Sequence, residues 1–176
     1  LVRTDAVINN DFVFKSPAPG TVNIENYSVR WTGQVLPQFS ETYTFYAITD
    51  DGVRLWVNNV LLIDNWTNQN AAEKSGSIEL QAGQKYDIVM DYFQGTGFAV
   101  SKLLWSSAGT AKGIVPKTRL FPTLAAARVM EEAADLRTAA VQKQAAVRTN
   151  VYPNPVKPGQ LVSLQMLASN NTPVAI

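Results

Sequence analysis

Between Tyr27 and Trp105 apolar side chains recur at alternate positions in short runs separated by turn-forming residues, which is the period of a half-buried β-strand. Tyr27, Val29 and Trp31 alternate with Ser28, Arg30 and Thr32. Two further runs, Tyr43 to Ile48 and Val53 to Val57, flank Asp50-Asp51-Gly52 and read as neighbouring strands. Asn58-Asn59 turns the chain into Val60 to Ile63, and Gln81 to Gln84 joins Ser77 to Leu80 with Lys85 to Phe93. Gln94 to Gly97 then leads into Phe98 to Trp105. The spacing predicts about eight or nine antiparallel strands closing into an all-β barrel or sandwich.

The texture changes at residue 123. Thr123 to Asn150 holds nine alanines and no glycine, proline or aromatic residue, a composition that predicts a helical or semi-rigid linker. Pro153, Pro155 and Pro158 end it, and Leu161 to Leu167 begins a strand-like alternation. Of 17 aromatic residues, 16 lie between Phe12 and Phe121, so the core is expected in residues 1–122, followed by a linker over 123–150 and a tail over 151–176.

Composition removes whole classes of chemistry. The 176 residues include no histidine and no cysteine, which excludes Ser-His-Asp and Cys-His nucleophilic systems, His- or Cys-ligated zinc and thiol redox reactions. Carboxylate chemistry, oxygen-ligated cations and plain binding remain. A formal net charge of +1 offers no polyanion-binding surface, so nucleic acid is not an expected partner. No run of apolar residues is long enough for a membrane span and no basic-then-apolar leader opens the chain. Because it starts at Leu1 and not at Met, a mature or trimmed piece is expected.

The segments Asn26 to Gly33, Thr42 to Phe45, Asp50 to Val57 and Leu62 to Trp66 occur in an order that resembles the β-barrel domain family named after the anthrax protective antigen, the protective-antigen-fourteen domain. Leu80 to Gly83, Asp91 to Phe93, Leu104 to Ser106, Ile114 to Pro116 and Leu120 to Pro122 continue the match. The resemblance covers residues 1–122, but the aromatic-rich strand that usually opens the family is missing before Thr4 to Phe14. It implies an antiparallel barrel in a secreted or outer-cell-surface protein, and a carbohydrate-binding role.

The resemblance further implies that Asp50 and Asp51, joined by a cis peptide, hold a Ca²⁺ ion, with more oxygen ligands from Gln94, Gly95 and Thr96. Calcium takes about six to eight such ligands, and a sugar hydroxyl pair would complete the shell. Asn65, Trp66, Gly97 and Phe98 are the other expected ligand contacts, the two rings as stacking surfaces. A second reading stays open, in which Asp50-Asp51-Gly52 only turns a hairpin. Likewise Asn65 can serve a turn, and Trp66 and Phe98 can pack in the core. Trp31, Trp56 and Trp105 are expected in the core or barrel wall, and Arg54 and Lys102 on solvated strand faces.

In the tail, Val151 to Val156 followed by Gly159, Leu161, Val162 and Leu164 resembles the start of the carboxy-terminal sorting domain of type IX secretion cargo in Bacteroidota. These readings combine into one expectation: a non-catalytic, calcium-dependent, lectin-like carbohydrate-binding module of a protein exported by that route. The glycan would sit on the barrel, and secretion machinery or a surface-complex protein would bind residues 123–176. The alternative is a structural or protein-interaction module in a large secreted protein or surface complex. Hydrolysis is not expected, although an attached enzyme elsewhere in the parent protein would fit.

Overall fold

A computed structural model of the chain describes residues 1–123, 137–138, 165–167 and 173–175. The chain divides into two units, Leu1–Thr123 and Leu124–Ile176. The first unit holds β1 (Asn9–Asp11), β2 (Tyr27–Val35), β3 (Glu41–Asp50), β4 (Val53–Val57), β5 (Val60–Asn65), β6 (Ala72–Leu80), β7 (Tyr86–Gln94), β8 (Val100–Ser107), β9 (Thr110–Ile114) and β10 (Leu120–Phe121). One sheet has the order β1-β8-β3-β6, with β9 also on β8, and the other has the order β10-β2-β7-β4-β5. Every pairing is antiparallel, so the first unit has the expected all-β fold.

Alternation along the strands builds the core. Tyr43, Phe45 and Ala47 of β3, Val53, Leu55 and Val57 of β4, and Ile88, Met90 and Tyr92 of β7 all point inward and are buried. Leu103 and Trp105 of β8 join them, and Tyr43 and Trp105 rings meet at 5.0 Å. Each large apolar side chain buried in this way contributes about 1.5–3 kcal/mol. Where β5 meets β6 the sheets close on each other: a Cβ at Gly76 would stand 2.4 Å from the Leu62 carbonyl oxygen. At the opposite edge β10 pairs only with Gln34 and Val35 of β2, so among the described strands Tyr27 to Gly33 are paired on one side only, by β7.

The structure differs from expectation at the Asp50-Asp51-Gly52 turn. The runs on either side of it are not paired: β3 lies in the first sheet and β4 in the second. The triplet is therefore a crossover between sheets and not a hairpin turn, and Asp50-Asp51 is a cis peptide. Local turn chemistry is the same in both cases, because the partner of the following strand is chosen by burial. The expectation also missed β9 and β10, whose five and two residues carry no clean alternation.

The second unit contains a two-stranded antiparallel sheet of β11 (Gln165–Leu167) and β12 (Pro173–Ala175). Of the expected helical linker, Arg137 and Thr138 are described and are helical. The rest of that linker, and the Val151 to Leu164 stretch expected to start a sorting domain, lie outside the described residues.

Candidate functional site

Three loops converge at one end of the barrel: the crossover at Asp50 to Gly52, the β5–β6 connection at Trp66 to Ala71, and the β7–β8 connection at Gly95 to Ala99. Asp50 and Asp51 are both buried. Asp51 is held at each oxygen, where Oδ1 accepts the Gln69 amide at 3.0 Å and Oδ2 accepts the Gly95 amide at 2.7 Å. The Gln69 side chain reinforces this clamp by donating from Nε2 to the carbonyls of Thr49 and Asp51 at 3.3 and 3.2 Å. Asp50 accepts the Ala71 amide at its carboxylate. Burial, aided by the charge of Asp51, nevertheless pushes the Asp50 carboxyl above the usual range.

Beneath the pair lies Tyr92, whose hydroxyl is 2.6 Å from the Asp50 main-chain carbonyl and 2.9 Å from the Gln94 carboxamide. A phenol has one proton to donate. Asp50 C=O can only accept, so that proton goes there, and the carboxamide meets the hydroxyl oxygen through its NH₂ group. The other Gln94 carboxamide atom is buried and has no partner among the described residues; on this assignment it is the oxygen. Burial raises the Tyr92 hydroxyl far above an ordinary phenol, so it keeps its proton.

Fit to a hard cation can be judged on these atoms. Two carboxylates are buried side by side, their partners are amides with no basic side chain among the described residues, and Asp50 is reluctant to ionise. Each Asp51 oxygen keeps a free lone pair, since a carboxylate offers about four acceptor sites. In charge and donor type Asp50 and Asp51 fit a cation such as Ca²⁺. No group of three or more acidic side chains gathers among the described residues, so further ligands would be neutral oxygens. Gly95 is occupied otherwise than expected, giving its amide to Asp51 and its carbonyl to the Asn26 amide at 2.8 Å. Thr96 is exposed in the same loop.

The other expected contacts are spread out. Phe98 is 56% exposed and leans on Phe14 at a centroid distance of 5.3 Å. Gly97, at φ +91, donates its amide to Glu25 at 3.2 Å. Trp66 is not in the core: it lies against Phe93 at 4.8 Å with the Arg54 guanidinium 4.9 Å over its ring. Asn65 pairs with Val53 at the end of β5, its Nδ2 buried without a partner among the described residues. Arg54, expected to be merely solvated, also bonds Asp64 at 2.8 Å. Sequence reasoning missed Gln69, Ala71 and Tyr92. Only Tyr92 left a signal, through the inward period it shares with Met90 and Gln94.

The PA14 domain family model matches residues 2–119. The chain belongs to the PA14 domain family. Over 122 residues the PA14 domain is 52% identical to the anti-sigma-I factor RsgI3 of Acetivibrio thermocellus, a match spanning 69% of this chain and 19% of that protein. A solved anti-sigma factor domain-containing protein is 51% identical with a TM-score of 0.68, over 70% of this chain and 42% of its own. A PA14 sugar-binding domain from an RTX adhesin is 26% identical with a TM-score of 0.50, over 57% of each chain. The chain thus spans about a fifth of the curated relative and under half of the solved one.

These relatives correct the expected function. Relatives that share about half of the PA14 domain's residues are an anti-sigma-I factor and an anti-sigma factor domain-containing protein, so the reading as a lectin module of type IX cargo falls and the interaction-module alternative stands closer. None of the three is an enzyme by name. No helix among the described residues is long and apolar enough to cross a membrane.

Proposed function

We propose that Leu1–Thr123 is the sensing module of a regulatory protein of the anti-sigma-factor kind, placed outside the cell, where occupation of the Asp50–Asp51 cup is the signal. The observation that carries this reading is the 52% identity to an anti-sigma-I factor across the whole barrel. The ligand class is a polysaccharide, supported by the likeness to a sugar-binding PA14 domain. Asp50 and Asp51 would hold Ca²⁺, with further oxygens from Gln94 and Thr96. The ion would supply a point at which adjacent ligand hydroxyls displace water. Gln69 and Gly95 hold Asp51 in place through its carboxylate, and Tyr92 fixes the Asp50 backbone from below.

The test uses the full-length regulator in cells carrying a sigma-dependent reporter. Soluble polysaccharide should induce the reporter with the intact protein and fail after deletion of residues 2–119 or after the double change Asp50→Asn and Asp51→Asn. Induction that persists without the domain would refute the reading. Calorimetric titration of Ca²⁺ into chelator-treated protein separates the ion from the ligand: heat of binding should vanish in the double variant.

A further inference from the structure

Four buried side-chain polar atoms lack a hydrogen-bond partner among the described residues, on Tyr27, Asn65, Gln94 and Ser107. Two of the four fall on one pair of neighbours. Tyr27 opens β2 directly opposite Gln94 at the end of β7, and residues so paired share a face of the sheet. That face is the inner one: Gln94 is 1% exposed, and the Tyr27 ring meets the Tyr92 ring edge to face at 6.1 Å. Buried polar groups are nearly always satisfied by protein or by ordered water, so two orphans on adjacent positions call for one explanation.

Their chemistry is complementary. The Tyr27 hydroxyl has a proton to give, and the free Gln94 carboxamide atom is the oxygen, because the NH₂ group is committed to the Tyr92 hydroxyl. Neither reaches the other. One water between them accepts from Tyr27 and donates to Gln94, which meets the two to four polar partners a buried water needs. A carbonyl oxygen has two lone pairs, so the water leaves one for an ion. The consequence runs to the cup. Tyr92 has a single proton, and it goes to the Asp50 carbonyl at 2.6 Å. A Gln94 oxygen left unpaired gains by turning onto that same proton, which takes it from Asp50.

We infer that Tyr27 is a positioning residue of the cup: with one buried water it pairs the Gln94 carboxamide oxygen, and so leaves the Tyr92 proton on the Asp50 carbonyl. The order of contacts is Tyr27, water, Gln94, Tyr92, Asp50, and it ties the first residue of β2 to the acidic crossover. The effect on ion affinity rests on the proposed calcium role of Asp50 and Asp51, whereas the water and its hydrogen bonds do not.

Tyr27→Phe tests it, since it removes the hydroxyl and keeps the ring against Tyr92. In the calcium-free full chain, exchange of the Gln94 side-chain amide protons, followed by NMR, should quicken about threefold to tenfold, the range that loss of one hydrogen bond supplies. Calorimetric Ca²⁺ affinity should fall by a similar factor. Tyr92→Phe takes the proton from Asp50 outright and should lower that affinity at least as far, and adding Tyr27→Phe to it should lower it no further, because Tyr27 acts through Tyr92. A crystal structure of the wild type should show a water about 2.7–3.2 Å from both the Tyr27 hydroxyl and the Gln94 carboxamide. Unchanged exchange in Tyr27→Phe, additive losses in the double variant, or a Tyr27 hydroxyl bonded directly to Tyr92 with no water beside it overturns the inference. Wild-type protein that binds no calcium overturns the calcium reading alone, and exchange and the crystal structure then decide for or against Tyr27.

Discussion

Gly52, directly after the acidic pair, is the most tightly hemmed glycine near the cup. A Cβ there would lie 2.1 Å from Phe93 Cε1, 2.7 Å from Cδ1 and 3.0 Å from Cζ, so Gly52→Ala must displace the ring. Phe93 cannot swing freely, because Trp66 packs on it and Arg54 covers Trp66. Overpacking of this kind costs about 1–3 kcal/mol, and separating the Phe93–Trp66 rings removes a further 0.5–1.5 kcal/mol or so. The expected loss is about 2–4 kcal/mol. Urea unfolding followed by tryptophan fluorescence reads it cleanly, since Trp31, Trp56, Trp66 and Trp105 all belong to the first unit. Adding Phe93→Leu should recover at least about 1 kcal/mol relative to the sum of the two single changes, because the smaller side chain makes room for the methyl. A Gly52→Ala protein within about 0.5 kcal/mol of wild type, or strict additivity of the pair, would refute the steric argument.

Other consequences are open to measurement. Asp51→Asn weakens two amide hydrogen bonds to a charged acceptor and should lower stability by about 1.5–3 kcal/mol in the same assay, with a loss below about 0.5 kcal/mol showing that the clamp is decorative. Asp50 binds its proton more tightly in the folded state than in the unfolded one. Its contribution is therefore most favourable below the ordinary carboxylate range and is lost as pH rises through its elevated value; Asp50→Asn should remove that decline from a thermal-unfolding profile across acid to neutral pH, and an unchanged profile would contradict it. On the outer face of the second sheet, Arg30, Asp91, Arg54 and Asp64 stand in one register across four strands with alternating charge. Because Arg30 is exposed, Arg30→Gln should leave the urea-unfolding midpoint close to that of wild type despite the bidentate contact to Asp91, and a marked drop in the midpoint would show that the row acts as a unit.

How far the residues alone disclose this molecule varies by level. The inward set of β7, Tyr86, Ile88, Met90 and Tyr92, follows from a two-residue period, and extending the period one step places Gln94 inside the barrel and not in a surface loop. The change of sheet at Asp50 to Gly52 could not be read that way, since the same turn chemistry serves a hairpin and a crossover. The pair Asp50-Asp51 was visible because carboxylates are side chains. Its holders were not: the Gln69, Ala71 and Gly95 groups that bind it are main-chain amides, which every residue type but proline supplies. The β1–β2 loop, with Phe14 turned outward, has no period to read and draws its conformation from contacts with the Gly95 to Phe98 loop.

The cup is assembled from distant pieces of chain. Asp51 reaches Gln69 across 18 positions and Gly95 across 44, Tyr92 reaches Asp50 across 42, and Glu25 meets Gly97 across 72. Contacts of such separation come late, after the chain has met the entropy of closing long loops. A nascent or partly folded domain therefore has no cup at all, only its scattered parts. Binding at the cup is therefore available only from a finished barrel, and topology alone withholds it from immature protein.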